Sequence, residues 1–76
     1  MNRTAQPEMQ PMNSSVFSGH HYDPATNRLT VRFKTGKVWQ YEDVPLEKAV
    51  AFEGSASPGR YFSDRIKGLY PGKEVG

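Results

Sequence analysis

The stretch that decides the fold is RLTVRFKTGKVWQYE, which spans residues 28–42. Apolar and polar side chains alternate in RLTVRFK, and this period of two predicts a β-strand over residues 28–34. The run KVWQYE alternates in the same way and predicts a second strand over residues 37–42. A short glycine-containing segment joins the two runs, so the sequence predicts an antiparallel β-hairpin.

The register of the hairpin turn decides which side chains share a face. A two-residue loop, Thr35-Gly36, would place Trp39 and Tyr41 beside the arginines of the first strand, as an aromatic and basic platform for single-stranded nucleic acid. A three-residue loop with Gly36 in a G1 bulge places both aromatic residues beside the apolar side chains instead. We favour the three-residue loop, because a domain of 76 residues cannot spare large apolar groups from its core.

Further elements flank the hairpin. A strand over residues 15–22 precedes it, with a β-bulge at Gly19. A helix begins at Pro45 and ends at Gly54, and a second helix begins at the Ser57-Pro58 pair, an N-cap followed by proline. The predicted fold is therefore α+β, a three-stranded antiparallel β-meander packed against two C-terminal helices.

The predicted core draws on the strands and on both helices. The core anchors are Tyr22, Phe33, Trp39, Tyr41, Phe62 and Ile66. In the first helix Leu46, Ala49 and Val50 recur at helical spacing on one face, which Phe52 widens. In the second helix Leu69 continues the stripe that contains two of the anchors.

Length and composition allow one small domain. We place it at residues 14–71, after a disordered N-terminal tail over residues 1–13 and before a flexible C-terminus over residues 72–76. The chain has no cysteine, which excludes disulfides and thiolate zinc sites and suits a reducing cytosol. No apolar run reaches the ~20 residues of a membrane span. We expect a cytoplasmic monomer without membrane contact, whose net charge of +2 permits an anionic partner.

No combination of residues specifies catalysis or a cofactor. His20 and His21 are adjacent, but neighbouring strand residues point to opposite faces, so the pair is poorly placed to bind one metal ion. The serines have no base that a third group would orient. We therefore expect a protein that is not an enzyme, with no catalytic residues, no metal and no cofactor.

The start of the second helix is the strongest candidate binding site. Unpaired N–H groups at a helix N-terminus favour anions, and residues 58–73 carry four basic residues against one acidic residue. A routine Ser-Pro helix start with solvated charges explains the same residues without a ligand. The candidate anion- or nucleic-acid-binding residues are Ser57, Gly59, Arg60, Arg65, Lys67, Arg28 and Arg32.

Several short motifs occur together along the chain: Ser14-Ser15, Tyr22-Asp23, Leu29-x-Val31-x-Phe33-x-x-Gly36, Trp39-Gln40-Tyr41, Asp43-Val44-Pro45, Ser57-x-Gly59-x-Tyr61-Phe62 and Ile66. In this order and spacing they resemble the KTSC domain family, over about residues 14–71. That family is named for the C-terminal domain of some lysyl-tRNA synthetases and includes free-standing small bacterial and phage proteins. Here Trp39 stands where the family usually has tyrosine, and His20 where an aliphatic residue is common.

The resemblance implies an accessory domain with a role in RNA binding, and it supplies no catalytic residues. Our leading hypothesis is weak, salt-sensitive binding of RNA. The alternative is a protein–protein interaction or adaptor module, which predicts an exposed apolar patch or a free sheet edge at the first strand.

Overall fold

The computed structural model describes residues 9–12 and 14–76. Within these residues, five antiparallel strands form one sheet in chain order: β1 (Gln10–Pro11), β2 (Phe17–Asp23), β3 (Arg28–Phe33), β4 (Val38–Tyr41) and β5 (Gly72–Glu74). Two helices, α1 (Leu46–Gly54) and α2 (Pro58–Arg65), lie between β4 and β5 in the sequence. Neither helix of this described part is long and apolar enough to cross a membrane.

The sheet has five strands rather than the three predicted. β1 lies in the predicted disordered tail, yet Gln10 and Pro11 pair with His20 and Gly19, so this part of β2 is not the free edge expected of the first strand. Residues 1–8 and 13 of that tail lie outside the described residues. Strands of two or three residues are too short to show a periodic pattern, so the sequence could not reveal them.

The C-terminal segment, predicted to be flexible over residues 72–76, pairs with the sheet. β5 runs along β4, with Trp39 opposite Glu74. Beyond β5, the Val75 N–H donates to the Val38 carbonyl at 2.7 Å. These backbone hydrogen bonds hold the segment against the edge that β4 would otherwise leave open.

The hairpin adopts the three-residue loop. Val31 lies opposite Trp39, so the aromatic residues of β4 share a face with the apolar residues of β3. Gly36 has a φ of +99°, and its N–H donates to the Phe33 carbonyl at 2.9 Å. A positive φ followed by resumed pairing is the geometry of a G1 bulge, in which glycine carries no steric penalty. In β2 the pairing register shifts between Phe17 and Gly19, which confirms the predicted bulge.

One hydrophobic core lies between the sheet and the helices. Its buried members are Phe17, Leu29, Val31, Tyr41, Val44, Phe52, Phe62 and Ile66. The Phe62 ring meets the rings of Phe17 and Tyr41 edge to face, with both centroid distances at 5.2 Å. Each such aromatic pair contributes about 0.5–1.5 kcal/mol beyond the burial of its area. The aromatic residues of both layers therefore hold α2 on the sheet.

The predicted core anchors divide into two groups. Tyr41, Phe62 and Ile66 are buried. The other three, Tyr22, Phe33 and Trp39, are half-buried and pack against the margin of the core.

The helices bury a different set of side chains from the predicted stripes. In α1, Ala49 and Phe52 are buried, whereas Leu46 and Val50 are 58% and 57% exposed. The large ring of Phe52 buries more apolar area than either aliphatic residue, so it sets the rotation of the helix. Leu69 is 61% exposed because α2 ends at Arg65, before the predicted stripe is complete.

Gly72 lies against the ring of Tyr41. A Cβ atom at this position would come within 2.3 Å of the ring carbon Cε1. A side chain of any size would therefore push β5 away from β4 or displace the buried ring. The close approach of β5 to the core depends on this glycine.

We expect Gly72→Ala to lower the free energy of unfolding by about 1–3 kcal/mol, the usual effect of overpacking. Urea unfolding followed by circular dichroism measures the change. Gly54→Ala is the matched control, because an added Cβ there meets no atom within 4 Å. Equal stability of the two variants would contradict the close approach of β5.

Candidate nucleic-acid interface

A cleft of about 640 Å³ opens between the sheet and the segment that runs from α2 to β5. We call it the aromatic cleft. Its lining includes five aromatic residues and four polar ones: Phe33, Trp39, Tyr41, Phe62, Tyr70, Thr35, Lys37, Ser63 and Lys67. Strand β4, helix α2 and the chain that joins α2 to β5 all contribute side chains to it.

Trp39 and Tyr41 form the sheet side of the aromatic cleft. They are two residues apart on β4 and therefore point to the same face. Their rings are close to parallel, with centroids 6.2 Å apart and an interplanar angle of 20°. Tyr41 is buried, and this burial raises the pKa of its phenol above the usual 10.0. Trp39 is only half-buried, so part of its ring surface remains accessible in the cleft.

The charged groups of the aromatic cleft are basic. Lys37 lines the cleft from the end of the hairpin turn, and Lys67 lines it from the chain just after α2. Of the described lining residues, none is acidic. The Lys37 Nζ lies 3.4 Å from Glu74 Oε2, but both side chains are largely exposed, and such surface pairs contribute little. The cleft therefore favours an anionic ligand.

Three of the predicted residues at the start of α2, Ser57, Gly59 and Arg60, line one cavity of about 280 Å³, but Arg65 and Lys67 do not line it. Ser57, Arg60 and Arg65 line a separate cavity of about 250 Å³, which Asp64 also lines. The Ser57 side chain makes no capping hydrogen bond to α2. The backbone N–H of Ser57 donates to Ser55 Oγ at 3.1 Å. A carboxylate beside the two arginines reduces the attraction of this cavity for a phosphate.

Gly59 and Lys67 line the aromatic cleft rather than the cavity beside Asp64. A Cβ on Gly59 would lie 2.9 Å from the Val16 Cγ2, so the absence of a side chain serves packing between α2 and the start of β2. Lys67 is the one residue of the predicted set that brings a positive charge into the cleft.

Arg28 and Arg32 lie on the opposite face of the sheet. They alternate with the buried residues of β3, so they point away from both helices. Arg28 Nε donates to Glu42 Oε2 at 2.9 Å, and Arg32 Nε donates to Ser18 Oγ at 2.9 Å. The fold therefore separates these two arginines from the candidates on α2.

The adjacent histidines also point to opposite faces. His20 is 7% exposed, and its Nε2 lies 3.1 Å from Glu53 Oε2 at the end of α1. Its other ring nitrogen, Nδ1, is buried without a hydrogen-bond partner among the described residues. His21 pairs with Thr30 and shares the outer face with it. Among residues 9–12 and 14–76, no three potential ligands are grouped for a metal ion.

Comparison with known proteins shows which family shares this sequence and fold. The family model of the KTSC domain matches residues 13–70. This chain belongs to the KTSC domain family. The crystal structure of a KTSC domain protein from Yersinia pestis is 33% identical, with a TM-score of 0.84, over 91% of this chain and 97% of that chain.

Relatives of this KTSC domain include much longer proteins. A lysine–tRNA ligase of Nostoc sp. is 33% identical over 66 residues, which is 87% of this chain and 12% of the ligase. A ligase of the same name from Trichormus variabilis matches over the same shares. A protein of Tsukamurella paurometabola is 36% identical over 59 residues, 78% of this chain and 88% of that protein.

Sequence reasoning missed part of the aromatic cleft in this KTSC domain. The sequence does not single out Tyr70 or Ser63, and the favoured register of the hairpin places Trp39 in the core. The Pro71-Gly72 pair was the available signal, because a glycine directly after proline marks a turn and a close backbone approach. That signal could not show which face Tyr70 would meet.

Replacing His20 by leucine should leave the melting temperature unchanged or raise it. The substitution removes a buried ring nitrogen that lacks a partner among the described residues, while Glu53, whose side chain is 44% exposed, regains water. Glu53→Ala is the comparison, and it should lower stability by about 1 kcal/mol because both ring nitrogens then lack a partner. Thermal unfolding measures both, and a His20→Leu variant less stable than Glu53→Ala would contradict this view.

Stability should fall as the pH rises above 10. Burial raises the pKa of Tyr41, so the unfolded chain loses this proton first. The contribution of the neutral phenol is complete below pH 10 and is lost as the pH rises through the higher pKa of the folded state. Burial and the charge of Asp23 raise the pKa of Tyr22 as well. Urea unfolding across this pH range measures the stability. Tyr41→Phe should lose less stability at alkaline pH than the parent, and an equal loss in both proteins would contradict the role of Tyr41.

Proposed function

We propose that this KTSC domain is a non-enzymatic accessory domain that binds RNA through the aromatic cleft. The observation that carries the proposal is the lining of the cleft, which combines the accessible aromatic surface of Trp39 with two lysines, while none of the described lining residues is acidic. Aromatic rings stack on nucleobases of any sequence, and lysines attract the phosphate backbone. The same chemistry recurs in proteins that bind single strands.

The relatives support an RNA role by analogy. Two of them are named as lysine–tRNA ligases, and this chain spans 12% of their length. A part of that size is an appended domain in such an enzyme. We propose that it contributes affinity for RNA and takes no part in the chemical step.

The affinity should be weak and sensitive to salt. Lys37 and Lys67 are the two basic residues that the described lining of the cleft contains. Each phosphate contact with a single strand contributes about −0.7 to the slope of log K against log salt concentration. Two contacts give a slope of about −1.4, so a tenfold rise in salt concentration should lower the affinity about 25-fold.

The alternative is a protein-interaction module. Leu46 and Val50 lie one turn apart on α1, and both are more than half exposed. An exposed apolar pair of this kind favours contact with another protein. Binding that persists in high salt and depends on this pair would favour the adaptor function over RNA binding.

Fluorescence anisotropy of a labelled single-stranded RNA at low salt tests the proposal. We expect the double variant Lys37→Ala/Lys67→Ala to lose at least about tenfold in affinity, since each charge-assisted phosphate contact contributes ~1 kcal/mol or more. The matched control is Arg28→Gln/Arg32→Gln, which removes the same two charges from the opposite face and should bind as the parent does. Equal loss in both variants, or no binding by the parent, would refute a role for the cleft.

A further inference from the structure

We infer that the aromatic cleft receives a single unpaired nucleobase, so that nucleotides and unpaired RNA strands bind there while the paired bases of a duplex do not. This inference rests on the proposed function and names the ligand class of the same site. Size, ring geometry, polar groups and charge each point to it.

The volume fits a ligand of nucleotide size. Small-molecule sites usually measure about 300–1,000 Å³, and the aromatic cleft measures about 640 Å³. A double helix hides the faces of its bases in the stack, so the rings at the bottom of the cleft can reach only a base that is unpaired or turned out of the helix.

The sheet side of the cleft offers a flat surface for stacking. The near-parallel rings of Trp39 and Tyr41 lie side by side on β4. Tyr41 is held by its edge-to-face contact with Phe62, and Gly72 brings β5 against its ring. Because this support is already in place in the core, little conformational entropy is lost when a base stacks on the accessible part of Trp39.

Three polar groups in the cleft are available to a base edge. Trp39, Ser63 and Tyr70 line the cleft, and among the described residues neither the Trp39 indole N–H nor the Ser63 and Tyr70 hydroxyls take part in a hydrogen bond. Unpaired bases carry free donors and acceptors on their edges, whereas duplex formation uses the pairing edge. Donors and acceptors beside a stacking surface match the requirements of an unpaired base.

The two lysines reach the cleft from different elements. Lys37 belongs to the hairpin and Lys67 to the chain after α2, so both cations line the space that the base would enter. Aromatic grooves also bind proline-rich peptides, but such peptides supply no negative charge for these lysines. The basic lining therefore favours a nucleotide over a polyproline ligand.

Trp39 is the one tryptophan of the chain, so its fluorescence, excited at 295 nm, reports directly on the cleft. The full chain is titrated at low salt with AMP, UMP, ribose 5-phosphate, a single-stranded RNA, a blunt RNA duplex and a proline-rich peptide. We expect AMP, UMP and the single strand to change the emission. Ribose 5-phosphate and the duplex should require at least about tenfold higher concentrations, because neither offers a base face.

A pair of matched variants locates the base. Tyr70→Leu removes a ring and a hydroxyl from the cleft and keeps the reporter, and we expect at least about fivefold weaker binding of AMP, because the aromatic contact and the hydrogen bond to the base edge are both lost. Tyr61→Leu makes the same change outside the described lining of the cleft and should bind AMP as the parent does. Amide NMR spectra of both variants establish that they are folded, and in the parent they should place the AMP-induced shifts at Ser63 and Lys67.

The outcomes separate this inference from the proposed function. If RNA binds at the cleft but AMP does not, or if the duplex competes as well as the single strand, the unpaired-base inference is wrong while RNA binding stands. If neither RNA nor nucleotides bind, both proposals fail. If the proline-rich peptide alone changes the emission, the cleft is a peptide site and both are overturned.

Discussion

The turn at Gly36 is the constraint on which the rest of the structure depends. The positive φ of this residue and its hydrogen bond to the Phe33 carbonyl set the pairing of β3 with β4. A slip of one residue would turn Trp39 and Tyr41 to the outer face, because side chains alternate along a strand. The small core would then lose the ring that packs against Phe62, and the aromatic cleft would not exist.

The same register explains why the Trp39 ring is neither fully buried in the core nor exposed on the outer face of the sheet. It points to the core face, yet it is only partly covered there, and it lies opposite Glu74 of the three-residue strand β5. Its ring is therefore half-buried, with Tyr41 on one side and open space in the cleft on the other. A side chain at the margin of a core combines rigidity with access, and these properties suit a stacking surface.

Two polar side chains of β2, His20 in the core and Tyr22 at its margin, contact the chain around α1. His20 shares the core face with Val31 and lies against Phe52, and its contact with Glu53 links β2 to the end of α1. The Tyr22 hydroxyl donates to the Val44 carbonyl at 2.6 Å and so links the same strand to the chain that enters α1. In a domain with few buried residues, these two polar links add to the apolar contacts that position α1.

The sequence by itself determined the central hairpin, its bulge, the existence of both helices and the membership of the family. The signals for these elements are local: alternating apolar and polar side chains, a glycine at a left-handed backbone position and a Ser-Pro helix start. Each acts through the conformational preferences of residues close together in the chain. Only the tertiary structure decided the short strands β1 and β5, the rotation of α1 about Phe52 and the assembly of the aromatic cleft. Each of these depends on residues far apart in the chain: Gly72 meets Tyr41, and Tyr70 and Trp39 line the same cleft. The pattern of a single segment cannot predict such contacts, because the strand that pairs with it and the apolar side chains that compete with it for burial lie elsewhere in the sequence.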